Sequence, residues 1–233
     1  VPIDTEVFYF WEGMMFRFKM AIVSACLMCL VWELPSGSFG DVVVSNLSEP
    51  VRAPTPIGNT QPDEFWATQS FITDGMTYDL DSIQARMGTA TNSPTAVFEL
   101  RKDTGANSID LTIGGLVTSF TAPDLTGLNS VRNLLPTSSV QLDPNTKYWF
   151  VAGVTNNGTF EWEYANTGSF SGPGSLNFFG DSDDAGATWT YRDSPFFPYF
   201  IQVNATPTGV PEPTTANILV GFVMLAASRR RLR

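Results

Sequence analysis

The sequence predicts an all-β protein: a single jelly-roll-like β-sandwich domain, with an N-terminal signal-peptide helix and a C-terminal transmembrane helix. Three observations carry this. Between residues 41 and 208, short alternating runs are separated by turn residues, the pattern of sandwiches and barrels. No amphipathic stretch of helical period reaches a useful length there. The region is rich in Thr, Ser, Gly, Asn, Pro and aromatic residues. Its 168 residues suffice for one domain with its own core.

The first strand is expected at residues 41–47. A Pro-rich link over 50–62 follows, because proline lacks the N–H that a ladder needs. Residues 65–73 read as the next strand. Over 80–87, Ile83, Ala85 and Met87 alternate with Gln84 and Arg86, so the first set faces inward. Residues 95–102 form a strand closed by an Asp103-Thr104-Gly105 turn, and shorter strands are expected at 116–121 and 140–142. Residues 147–154 are apolar at both parities, which predicts a central strand buried on both faces. Asn157-Gly158 is a strong two-residue hairpin signal. After it Phe160, Trp162 and Tyr164 face one way, and Glu161 and Glu163 the other. A Gly/Ser loop over 168–174 precedes the last strands, at 176–179, 188–192 and 199–205.

Several of these segments resemble the export-associated choice-of-anchor domains, the R type in particular. The resemblance rests on Gln69-Ser70-Phe71, on Leu80-Asp81-Ser82-Ile83, and on Leu142-Asp143-Pro144-Asn145-Thr146-Lys147-Tyr148-Trp149, and it covers about residues 45–203. It implies a β domain attached through a variable C-terminal anchor. It implies no activity.

Both ends carry address signals. Residues 1–13 read as an over-extended start, since the first methionines are Met14 and Met15. Residues 14–40 then have the parts of a secretory signal peptide: basic Arg17 and Lys19, an apolar run over 20–32, and the small residues Ser36, Ser38 and Gly40 at the exit. At the other end, residues 210–233 contain Pro211-Glu212-Pro213, an uncharged run over 214–228, and Arg229, Arg230, Arg231 and Arg233. The apolar part is short against the ~20 residues that span a bilayer. Arginines stay on the cytoplasmic side, so the body is expected outside. The two prolines hold the approach to the helix extended, within reach of an enzyme.

This ordered set of motif, apolar helix and Arg-rich end resembles the PEP-CTERM sorting signal of Gram-negative bacteria. The resemblance implies processing by exosortase, a transient inner-membrane anchor, and final residence at the outer cell surface or in an extracellular matrix beside exopolysaccharide.

Residues 41–209 hold 18 Asp and Glu against 7 Lys and Arg, a net charge of 7 − 18 = −11. That excludes nucleic acid as an expected partner and disfavours anionic lipid surfaces. The chain has no histidine, and its two cysteines, Cys26 and Cys29, lie in the signal segment. Ser-His-Asp, Cys-His, thiolate and His-ligated zinc chemistry are therefore excluded in their usual forms. A non-enzymatic protein without a confident metal or cofactor is expected.

Three candidate constellations remain. Ser182, Asp184, Gly186, Thr188 and Trp189 match Ser-x-Asp-x-Gly-x-Thr-Trp, which resembles the Asp-box hairpin and implies a structural turn. Asp181, Asp183 and Asp184 are candidate ligands for calcium, although Arg192 stands where an EF-hand needs a bidentate Glu. Trp66, Trp149 and Trp162 are candidates for stacking on sugar faces, against the alternative of core packing. They define the runner-up reading, a carbohydrate-binding module. Glu161 and Glu163, two apart on one strand face, define a third, a carboxylate-dependent glycoside hydrolase. The leading expectation is a structural or adhesive surface protein.

Overall fold

The computed structural model describes residues 40–59, 64–193 and 197–208, all within the unit Phe39–Val210. The expected signal peptide up to residue 39, together with Pro211, Glu212, Pro213, the uncharged run after them and Arg229, Arg230, Arg231 and Arg233, lies outside the described residues. Those described contain thirteen strands in one antiparallel sheet, a single 3₁₀ turn at Ile113–Gly115, and no α-helix.

The strands are β1 (Asp41–Ser45), β2 (Val51–Asn59), β3 (Glu64–Ile72), β4 (Tyr78–Thr91), β5 (Ala96–Lys102), β6 (Leu116–Ser119) and β7 (Ser130–Leu134). They continue with β8 (Gln141–Leu142), β9 (Lys147–Val154), β10 (Thr159–Ala165), β11 (Ser175–Ser182), β12 (Thr190–Asp193) and β13 (Ile201–Pro207). The main path runs β1-β13-β4-β10-β2-β3-β9-β5-β6. The long β4 carries β13 and β10 in succession along one edge, and β8 and β7 along the other. In the second half of the sheet, β11 joins β3 and β12 joins β11. Among the described residues, the one strand ladder that joins the two halves is the pairing of Gly58 and Asn59 of β2 with Phe65 and Glu64 of β3. The sheet curls so that both halves bury side chains in one core, which holds Ile83, Met87 and Trp162 from one and Phe71, Phe98 and Phe150 from the other.

The core follows from strand parity. On β4, Ile83, Ala85 and Met87 are fully buried while Gln84 and Arg86 are not, as expected. On β9, every residue from Tyr148 to Val154 is buried. One parity of β9 feeds the main core. The other, Trp149 and Val151, lies under a second layer made by Ile109, Trp66, Phe178, Trp189 and Tyr191.

Three features depart from expectation. Asn157-Gly158 does not close a hairpin: β9 pairs with β3 and β5, and β10 with β2 and β4, so this turn carries the chain from one half of the sheet to the other. The Pro-rich link over 50–62 is largely β2, paired with β10 from Gly58↔Thr159 to Val51↔Ala165. Pro54 and Pro56 are two apart, so both missing donors face the same edge, and β2 has a long partner only along the other. β7 was not expected at all. Only its Leu134 is buried, so it has no apolar alternation to read. Its pairing with the second edge of β4 creates it.

Candidate functional site

The Asp-box-like segment forms a closed local network between β11 and β12. The Asp184 carboxylate accepts from the Thr188 N–H at 2.8 Å, the Thr188 hydroxyl at 2.6 Å and the Ser182 hydroxyl at 2.7 Å. Ser182 Oγ in turn accepts from Gly186 N–H at 2.9 Å. Gly186 has φ +82°, which a side chain would strain. The Trp189 indole N–H closes the turn on the Gly186 carbonyl at 3.0 Å. These donors stabilise the ionised carboxylate and lower the Asp184 pKa to about 2, the Thr188 hydroxyl contributing most.

A lowered carboxylate pKa stabilises the fold above the unfolded value of 3.8, and that contribution is lost as pH falls through about 2. Asp184→Asn is therefore expected to be less stable than the parent at pH 7, with the gap closing between about pH 4 and pH 2. Urea midpoints across that range check this. A gap independent of pH would show that ionisation of Asp184 contributes nothing.

The candidate calcium ligands point to separate tasks. Asp181 lies on β11 and faces Arg192 of β12, with Nη1–Oδ1 at 2.7 Å and Nη2–Oδ2 at 3.0 Å. The shorter contact is an ion pair without good hydrogen-bond alignment. Burial pushes the Asp181 carboxyl up, and Arg192 only partly offsets this. Asp184 is held by its own turn and Asp183 is exposed. Among the described residues no group of three or more potential ligands converges as a metal site.

The sugar-stacking candidates divide. Trp149 and Trp162 are fully buried and offer no face to a ligand, which corrects that expectation for both. Trp149 donates from its indole to Asp103 Oδ1 at 2.8 Å and packs 4.9 Å from the Tyr191 ring. Trp162 donates to the Phe200 carbonyl at 3.0 Å and stacks on Tyr199 at 4.4 Å. Trp149 lies on β9, apolar at both parities, and Trp162 on the aromatic parity of β10, whose other parity carries Glu161 and Glu163; in both places burial prevails over display. Trp66 is only partly buried. Its ring rests on Gly153, where a Cβ would come within 2.1 Å of it. Trp66 and Trp189 line a cleft of about 360 Å³ with Glu99, Arg101, Leu111 and Gly186.

A second cavity, about 380 Å³, lies in the fork between β2 and β11, each of which pairs with β3. Arg52 and Thr55 come from β2, Phe65 from β3, Tyr164 from β10, Phe179 and Asp181 from β11, and Arg192 from β12. Phe197 and Tyr199 complete it just before β13. Except for Asp181 and Arg192, none of these residues entered the candidate sets above. Their signal was hidden because they come from six segments that only the tertiary fold brings together.

Glu161 accepts from Asn129 Nδ2 at 2.9 Å, and Glu163 pairs with Arg86 at 3.0 Å. Neither carboxylate lines either cavity. Compared with models of known protein families, the sequence matches none, and no curated protein matches it either.

Proposed function

We propose that this is an exported, non-enzymatic protein of the outer cell surface or extracellular matrix of a Gram-negative bacterium. In this reading an exosortase sorts it through residues 210–233, after transient anchoring in the inner membrane, and it serves a structural or adhesive role among exopolysaccharide. The observation that carries the reading is the ordered set Pro211-Glu212-Pro213, apolar run and Arg229, Arg230, Arg231 and Arg233 at the C-terminal side of an all-β domain. The signal-peptide pattern over 14–40 supports export, and a domain without cysteine needs no disulfide to fold in an oxidising compartment. The finer description of the domain as a jelly-roll-like sandwich belongs to the same proposal, supported by the single core shared by both halves of the curled sheet.

Mass spectrometry of the mature C-terminus, in parent and exosortase-deletion strains, tests the sorting. A C-terminus trimmed upstream of the apolar run is expected in the parent, and Arg233 retained in the deletion. Arg233 retained in both would defeat the proposal.

The carbohydrate-binding reading is favoured by a specific observation, two clefts walled by partly exposed aromatic rings. It is compatible with the first reading, since an adhesive matrix protein must hold a glycan.

A further inference from the structure

The cavity in the β2/β11 fork has an unusual charge for this domain. Only 7 basic residues stand against 18 acidic ones in residues 41–209, yet two of the seven, Arg52 and Arg192, line the same cavity. Among the described lining residues Asp181 is the only carboxylate, so these carry one net positive charge within a domain of net charge −11.

The two arginines are placed differently. Arg192 is committed to Asp181 through both of its terminal nitrogens. Arg52 lies with its guanidinium 3.5 Å from the Phe197 ring centroid and 5.9 Å from that of Tyr164. Among the described residues no carboxylate forms an ion pair with it. Its guanidinium lies against two rings without a carboxylate partner, an arrangement suited to a planar carboxylate ligand. Around it, Phe65, Tyr164, Phe179 and Phe197 are partly exposed and supply apolar faces. Thr55 supplies a hydroxyl on the same wall. About 380 Å³ is at the small end of small-ligand sites, which run to about 1,000 Å³.

These features select a ligand. One uncompensated cation matches one negative charge, not a dianion. The aromatic walls suit an apolar face on the ligand, and at its edge hydroxyls can meet Thr55 and Asp181 Oδ1, which accepts no hydrogen bond although it is ion-paired with Arg192. Densely anionic polymers are disfavoured by the domain's net charge of −11. We infer that the fork between β2 and β11 binds a single monocarboxylated sugar ring, a uronate residue, with its carboxylate on Arg52 and its apolar face against the aromatic wall. The inference rests on the extracellular reading above for where such a glycan is met, and on the cavity alone for the ligand's chemistry.

Ligand-observed NMR titration of the full chain in mild detergent tests it, with methyl glucuronide as probe and methyl glucoside, benzoate and inorganic phosphate as comparisons. The glucuronide is expected to bind at least about tenfold more tightly than the glucoside, which carries a hydroxymethyl group where the glucuronide has its carboxylate. Arg52→Gln, an exposed position, should weaken the glucuronide by about tenfold or more while leaving the circular dichroism spectrum unchanged. Lys102→Gln removes the same charge outside the cavity and should leave binding unaltered. Equal binding of glucoside and glucuronide, tighter binding of benzoate or phosphate, an unchanged affinity in Arg52→Gln, or no saturable binding at millimolar probe would each overturn the assignment. None of these results depends on how the C-terminus is processed, so the binding and sorting proposals fail separately.

Discussion

Trp162→Ala is expected to lower the free energy of unfolding by about 3–5 kcal/mol, among the largest single-residue effects in the domain. The residue is fully buried on β10, at the centre of the shared core. Three contacts disappear together: the stack on Tyr199 at 4.4 Å, the edge contact with Phe150 at 5.5 Å, and the indole hydrogen bond to the Phe200 carbonyl at 3.0 Å. The last leaves a carbonyl without its donor at a buried position. Domains of this size have about 5–15 kcal/mol in total, so the variant should unfold at a much lower urea concentration. A loss below about 1 kcal/mol, less than half the cost of exposing one buried aromatic side chain, would mean that the core around Trp162 is not packed as described.

Gly58→Ala is expected to destabilise by at least about 2 kcal/mol through backbone conformation and crowding. Gly58 has φ +114°, a region that residues with a side chain rarely enter. A Cβ there would lie 2.4 Å from the Gly158 carbonyl oxygen and 3.0 Å from Val154 Cγ2. The carbonyl belongs to the β9–β10 turn and cannot move without shifting both strands. Gly58 is also one of the two β2 residues that join the halves of the sheet. Thermal unfolding of Gly58→Ala beside Gly127→Ala, where φ is +78° but no atom lies within 4 Å of the added carbon, separates strain from crowding. Equal losses in the two variants would refute the crowding at Gly58.

The candidate sites differ in how far they could be read before the fold was known. The turn around Asp184 is legible because every side-chain hydrogen-bond partner lies within seven residues, and its geometry follows from local hydrogen bonding. The choice between display and burial for Trp149 and Trp162 is not legible. Both sit on aromatic-rich strands, and parity alone places a ring on a face without saying what covers that face. For Trp149 the cover is Tyr191 and Phe178, about 30 to 40 residues away in sequence. The same holds for the fork cavity, whose arginines are 140 positions apart.

What the sequence by itself determined is the all-β class, most strand positions and the double burial of β9. These depend on alternation, turn chemistry and runs of apolar residues, all of which act over a few positions. Only the tertiary structure decided that a proline-rich stretch becomes β2, that the polar segment at Ser130–Leu134 becomes β7, and that Arg52 meets Arg192. The physical reason is common to all three. Edge pairing and cavity formation depend on which backbone edges and side chains the long-range ladders leave open, and no local pattern records that.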